Sequence, residues 1–415
     1  MRQSQLFTKT RKEAPADEVS KNAQLLIRAG YVHKEMAGVY SILPLGQRVL
    51  NKIVNIVKEE MDSVGGVQMK TSVLQSKDVW EKTNRWSDDV VDNWFKTTLK
   101  NGTEVGLSFT NEEAYSNIMK DFISSYRDLP IYPYDFKTIF RNEIRSKSGI
   151  MRGREFYWKA LYSFSKNEIE HNEFYEKMKQ AYLNVFSRVG LGDKTYLTFA
   201  SGGTFSKYSH EFQTVSSAGE DIIYINKEKN ITINKEVYTD EVLLDLGLSK
   251  DDLVEEKSIE VGNIFSLGFK FSEPFGLTYK NESSEDVPVF MGSYGIGITR
   301  LIGTIVETLS DECGIVWPES VAPFKVHLLS LGEDVKDTAE KLYKDLQDNG
   351  IEVLFDDRLG INAGEKFADA DLIGIPYRVV VSKRSIENGG IEIKKRTENE
   401  SRIIPVSDLL LTFNI

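Results

Sequence analysis

The 415-residue chain has one cysteine, Cys313, and only four histidines. A lone thiol can build neither a disulfide framework nor a cysteine-rich zinc site. So few histidines leave little for a histidine metal cluster, and no metal held by protein side chains is expected. No apolar run approaches the ~18 residues that cross a bilayer. The opening MRQSQLFTKTRKEAPADE lacks an apolar core and a small-residue cleavage site, so no secretory signal is expected there. There is no internal repeat or low-complexity tract, and a reducing, cytoplasmic location fits these absences. Excess positive charge is missing too: the net charge of −11 excludes a protein that coats DNA. Recognition of nucleic acid through restricted basic patches stays open.

What is present is an ordinary globular composition, 40% hydrophobic and 28% charged, long enough for two or three domains. Helical periodicity predicts a helix over Pro15 to Ala29 with Val19, Ala23, Leu26 and Ile27 inward, and another over Gln47 to Met61. Trp80 to Leu99 reads as surface loops and short strands. From Gly106 a strand turns at Thr110, a candidate N-cap, into a helix burying Ala114, Ile118, Met119, Phe122 and Ile123. Glu173 to Gly190 is amphipathic with Phe174, Met178, Tyr182 and Phe186 inward. Two strand-like pieces follow, separated by the turn SGGTFSKYS. The acidic stretch Glu236 to Lys257 reads as helical and solvated. Strand, glycine turn and helix follow from Pro288 to Leu309, with Arg300 unexpectedly on the first turn of an apolar helix. Trp317 to Pro323 is the best linker. Beyond it strands and helices alternate in a compact α/β module, in which His327 reads as a core residue.

The run FKTIFRNEIRSKSGIMRGREFYWKALYSF, Phe136 to Phe164, has strand-like ends and a basic, glycine-containing middle. As a hairpin it would set Arg145, Lys147 and Arg152 over one concave surface, and arginine forks suit phosphate oxygens. A merely solvated hairpin is the plain alternative. Beside it stand a strand-turn with Thr110 and Glu112 and a glycine turn with Arg300. The three pieces supply cations for a triphosphate, an aromatic face for a base, and a carboxylate for a substrate ammonium. That inventory suits activation of an amino acid by ATP, which needs charge neutralisation and in-line placement more than acid–base groups.

Nearly end to end, the sequence resembles bacterial-type prolyl-tRNA synthetases, which are class II aminoacyl-tRNA synthetases. The likeness is carried by SQLFTKTRKEAPADEVSKNAQLLIRAG, FTNEE, FRNE with MRGREF, SHEFQ, EVGNIF, MGSYGIGITR, GIVWPESVAPF and GEKFADADLIGIP. It implies an α+β catalytic domain over 1–318, an antiparallel sheet flanked by helices. Motifs 1, 2 and 3 would lie near 47–74, 138–164 and 290–309. A linker over 319–324 would lead to an α/β anticodon-binding domain over 325–415. Arg141 would contact the α-phosphate and the proline carboxylate, Glu143 the adenine amino group, and Phe156 the adenine face. Arg152 and Arg300 would hold the outer phosphates, with Glu260 also at the ATP. Thr110, Glu112, Tyr162 and Asn263 would line the proline site. Arg145 would face the tRNA acceptor end, while Arg358, Lys366 and Asp369 would read the anticodon. The implied substrates are L-proline, ATP with Mg²⁺ and tRNA(Pro), and motif 1 implies a homodimer.

The chain also departs from that family. Gly219 to Val261 is too short for the editing domain of ~100 residues that many bacterial members insert there, so none is expected. Ser72 stands where motif 1 has proline, and Ala160 where motif 2 ends in an acidic residue. Asn111 and Asn263 stand where histidine is usual. Ala160 removes a carboxylate near the substrate, which keeps a second reading in view: a catalytically impaired, synthetase-derived protein that binds tRNA or nucleotide. A threonyl enzyme is disfavoured, because its zinc site needs cysteine and histidine ligands.

Overall fold

The computed structural model describes residues 1–144, 146, 148–201 and 208–413. The chain groups into two compact units, one of Met36–Val39 and Val54–Thr304, the other of Met1–Glu35, Tyr40–Ile53 and Ile305–Ile415. Among the described residues no helix is long and apolar enough to cross a membrane. Arg145, Lys147 and residues 202–207, most of the expected turn SGGTFSKYS, lie outside the described residues.

Among the described residues the main sheet of the larger unit has nine strands, here labelled β1 (Val67–Gln68), β2 (Pro133–Phe140), β3 (Glu155–Ser165), β4 (Thr195–Ser201), β5 (Tyr208–Val215), β6 (Asp221–Asn226), β7 (Ile231–Asn234), β8 (Val254–Gly268) and β9 (Phe290–Gly297). Their order is β5-β4-β7-β6-β8-β9-β3-β2-β1, with β5 also paired to β8. The pairings are antiparallel except β7 with β4 and β1 with β2. The β5–β8 ladder closes five strands into a ring. The hairpin β6–β7 and the first half of β8 belong to that ring, so residues 221–261 extend this sheet rather than form a separate domain. The acidic stretch expected to be helical gives the short helix Asp240–Asp245 and the 3-10 turns Lys235–Val237 and Lys250–Asp252 before β8 begins.

Strand alternation sorts β3 into two faces. Tyr157, Lys159, Leu161 and Ser163 point to one side, where the helix Glu168–Arg188 packs with Phe174, Met178, Tyr182 and Phe186 buried as the periodicity predicts. Lys159 is wholly buried there, its Nζ donating to Tyr182 OH at 2.7 Å and the Tyr294 carbonyl at 3.1 Å. Burial pushes its ammonium well below the ordinary lysine value. Gly262 permits this packing, since a Cβ there would meet Tyr182 at 3.1 Å and Phe186 at 3.2 Å. The opposite face carries Phe156, Trp158, Ala160 and Tyr162. Across it runs one cross-strand row of five residues: Glu211, Asn263, Gly295, Ala160 and Asp135.

Several local expectations fail where periodicity runs past the true element. The first helix spans only Lys21–Arg28, and Val19 is 87% exposed. The helix after Thr110 is Glu112–Met119, capped by Asn111 with no side-chain cap bond, and it ends before the exposed Phe122. In Trp80 to Leu99 the expected short strand is present as Lys96–Thr98, but Trp80 and Trp94 are buried in a cluster with Val91 rather than at the surface. The second helix is longer than expected, Pro44–Ser63.

In the other unit five strands pair as β11-β10-β12-β13-β14, namely β10 (Val326–Leu331), β11 (Val353–Asp356), β12 (Tyr377–Ser382), β13 (Ile391–Lys395) and β14 (Arg402–Ile404). β10 pairs in parallel with β11 and β12, and the remaining pairs are antiparallel. His327 is buried on β10, its Nε2 2.9 Å from Gln3 Oε1. The stretch read as a linker is packed: Trp317, Val321, Ala322 and Phe324 are buried, and Trp317 Nε1 donates to Tyr31 OH at 2.8 Å.

Candidate active site

Three chain segments meet over the Phe156–Tyr162 face because β2, β3, β8 and β9 are neighbours in the sheet. Arg141 directly follows β2, Glu260 and Asn263 ride on β8, and Arg300 sits on the first turn of the helix Ile298–Leu309. A pocket of about 230 Å³ opens between them, and its walls include Arg141, Glu143, Arg152, Phe156, Glu260, Asn263 and Arg300. Seven residues singled out from the sequence thus share one cavity. Trp158, which the sequence reasoning missed, also lines it. Its alternation with Phe156 along β3 was the available signal.

Arg141 is caged by rings, its guanidinium carbon 5.2 Å from Phe109, 5.4 Å from Phe156 and 5.3 Å from Trp158. Its Nε is buried without a hydrogen-bond partner among the described residues. Burial and the charge of Arg300 both work against its cationic form. An anion entering the pocket would relieve both penalties. Arg300 is oriented differently: Nε donates to the Met151 carbonyl at 3.0 Å, and Nη1 to the Glu260 carbonyl at 2.8 Å and Glu260 Oε2 at 3.3 Å. Asn263 Nδ2 donates to Glu260 Oε1 at 2.8 Å. Arg152 divides its fork between Glu143 at 3.2 Å and Glu220 at 2.9 Å.

Thr110, Glu112 and Tyr162 form a second cluster, further along the same sheet face. Glu112 Oε1 accepts from Tyr162 OH at 3.0 Å, and Oε2 accepts from Thr110 Oγ1 at 2.5 Å and Arg85 Nη1 at 3.1 Å. Thr110 therefore serves Glu112 and does not cap the helix. Burial opposes ionisation of Glu112, yet Arg85 and Thr110 hold the carboxyl below its ordinary value. Arg85 was hidden in the tryptophan-rich stretch that reads as loops.

In the other unit, Arg358 binds Asp356 and Asp369, each at 2.7–2.9 Å. Asp369 also accepts from Thr10 Oγ1 at 2.6 Å, and the buried Lys366 donates to the Ser330 and Asp356 carbonyls. Arg358 and Lys366 line a cavity of about 140 Å³, whereas Asp369 supports Arg358 from behind its wall. Arg145 lies outside the described residues.

Family models match the chain twice: the tRNA synthetase class II core domain (G, H, P, S and T) over 95–309, and the anticodon binding domain over 325–413. The proline–tRNA ligase of Caulobacter vibrioides is 38% identical over 437 aligned positions, covering 99% of this chain and 98% of that protein. The chain belongs to the proline–tRNA ligase family. The ligase of Hyphomonas neptunium is 37% identical, with 99% of each chain covered. In fold, the prolyl-tRNA synthetase of Cryptosporidium parvum complexed with L-proline and AMP superposes with a TM-score of 0.77 at 18% identity, over 95% of this chain and 74% of that one. The Giardia lamblia enzyme in complex with prolyl-adenylate gives 0.76 at 20% identity, over 92% and 74%. Members of this family are ATP-dependent aminoacyl-tRNA ligases, and the activity of this chain is the family's: joining proline to tRNA with ATP.

Proposed function

We propose that the pocket under Arg141 and Arg300 activates L-proline and then passes it to the 3′ end of tRNA(Pro). The supporting observation is the buried Arg141 Nε, which has no partner among the described residues and stands in a cavity shared with Arg300. A proline carboxylate oxygen attacks the α-phosphorus, the bond to the bridging oxygen breaks, and pyrophosphate leaves. Arg141 neutralises charge on the α-phosphate and on the carboxylate, while Arg300 and Arg152 take the outer phosphates. Glu143 reads the adenine amino group and Phe156 stacks on the base. Thr110, Glu112, Tyr162 and Asn263 hold the imino acid. In the second step a terminal tRNA hydroxyl attacks the prolyl carbonyl and AMP departs.

Mg²⁺ enters as the ATP complex. Both oxygens of Glu260 are engaged, one by Asn263 and the other by Arg300. Arg145 is assigned to the acceptor end, and Arg358 and Lys366, braced by Asp369, to anticodon bases. The functional boundaries are 1–318 and 325–415 with 319–324 between them, working as a homodimer in the cytoplasm without an editing domain. Proline-dependent ATP–pyrophosphate exchange tests the site: Arg141→Ala and Arg300→Ala should each lower kcat/KM by roughly a hundredfold or more. Exchange unchanged in both variants would overturn the assignment.

A further inference from the structure

Two glutamates follow one another on the first turn of the helix Glu112–Met119, and one arginine serves both. Arg85 Nη1 lies 3.1 Å from Glu112 Oε2 and 2.9 Å from Glu113 Oε1. The guanidinium is held between two rings, 5.0 Å from Trp80 and 5.4 Å from Phe271. Thr83 Oγ1 donates to the same Glu113 oxygen at 2.8 Å. Glu113 is fully buried, and its Oε2 has no hydrogen-bond partner among the described residues. Glu112, by contrast, has both oxygens oriented, by Tyr162 on one side and by Thr110 and Arg85 on the other.

This arrangement is costly for a surface decoration, because burying charge is tolerated only where the partners are well placed. It makes sense as a way to keep one carboxylate both fixed and charged. An arginine paired with Glu112 alone would cancel the charge a cationic imino group needs. Burial pushes Glu113 up to about 7 against the pull of Arg85, so as that carboxyl ionises it draws part of the arginine's charge away, while Arg85 and Thr110 keep Glu112 anionic toward the pocket. The first-turn position adds the favourable end of the helix dipole to both acids.

We propose that Arg85 is a positioning residue of the imino-acid subsite, fixing the Glu112 carboxylate while Glu113 shares its positive charge. The inference rests on the reading of Glu112 as the group that meets the proline nitrogen. Arg85 contacts the substrate only through Glu112, so its loss acts on proline and leaves ATP handling alone.

Pyrophosphate exchange with proline and ATP varied separately tests this in the full-length protein. Arg85→Ala should raise KM for proline roughly tenfold or more, with KM for ATP within about twofold of wild type. Arg85→Lys keeps the charge but loses the fork and the ring stacking, so it should fall between wild type and Arg85→Ala. Glu113→Gln should also raise KM for proline, through a neutral rear partner, and it covers the case where Arg85→Ala does not fold. If Glu112→Gln raises KM for proline while Arg85→Lys and Glu113→Gln leave it at wild type, the positioning role is overturned and the subsite reading stands. If Glu112→Gln leaves KM for proline unchanged, the subsite reading fails and this inference with it. Equal rises in KM for both substrates in Arg85→Lys would mark a general structural role and likewise overturn it.

Discussion

Asp135 on β2 stands directly across from Ala160 on β3, and both are buried. Asp135 Oδ2 accepts from Thr71 Oγ1 at 2.5 Å and from the Thr71 amide at 3.2 Å. Lys137, one step along the same face, donates to Thr71 Oγ1 at 2.7 Å and Asn111 Oδ1 at 2.8 Å. A carboxylate therefore occupies the level of Ala160, supplied by the neighbouring strand. The adjoining strand thus carries a carboxylate beside the position where Ala160 has none.

That relationship predicts a double-mutant cycle. Ala160→Asp would set a second carboxylate about 5 Å from Asp135 on the same face. Burial already raises the Asp135 pKa, with Thr71 and Lys137 pulling it back. The single variant should lose about 3 kcal/mol in urea unfolding at neutral pH. Asp135→Asn combined with Ala160→Asp should recover a large part of it, whereas simple additivity would show that the two positions do not share one site for charge.

Arg152 gives its fork to Glu143 and Glu220, and Glu220 is held in turn by Ser148 Oγ at 2.6 Å. If Arg152 takes the outer phosphates as proposed, the nucleotide must compete with Glu220 for this arginine. Both side chains are 40% or more exposed, so the pair is weak, on the order of 0.5 kcal/mol. Glu220→Gln should therefore lower KM for ATP by about twofold and leave KM for proline alone. A rise in KM for ATP would mean that Glu220 orients Arg152 for the phosphates and does not restrain it.

Glu211 begins the row of five across the sheet. Burial, reinforced by the Glu260 carboxylate, pushes its carboxyl up from 4.5 to about 8. Between those values the folded chain holds a proton that the unfolded chain has released. Stability from this group is full below pH 4.5 and is lost as pH rises through about 8. Glu211→Gln keeps the neutral form, so it should match wild type near pH 4.5 and exceed it by ~2–4 kcal/mol at pH 8. Chemical denaturation at the two pH values reads this directly, and a pH-independent difference would refute it.

Gly262 lets β8 approach the helix Glu168–Arg188, where a Cβ would come within 3.2 Å of the Gly295 carbonyl as well as of Phe186. Gly262→Ala should cost about 1–3 kcal/mol of stability through overpacking. Because Asn263 is the next residue along β8 and a Cβ on Gly262 would press on the Gly295 carbonyl across from it, kcat/KM for proline should fall as well. An unfolding midpoint equal to wild type would show that the sheet yields without strain.

Much of this protein could be read from local sequence. The hairpin Pro133–Ser165, the arginines it brings to the pocket, the turn bearing Arg300 and the α/β module after Phe324 depend on residues adjacent in the chain. Alternation, turn chemistry and charge report such features directly. Helix ends were read less well: at Val19 and Phe122 the apolar period continues after the backbone has left the helix. Trp158, Arg85 and Asp135 were invisible for a different reason. Each acquires its role from a partner on another element, Trp158 from the pocket walls, Arg85 from Glu112, and Asp135 from the strand that carries Ala160. Sequence alone determined which chemical groups the chain possesses and which strands and helices present them. Tertiary structure decided which side chains share a face, because cross-strand register and the close approach at Gly262 are set by packing between residues far apart in the chain.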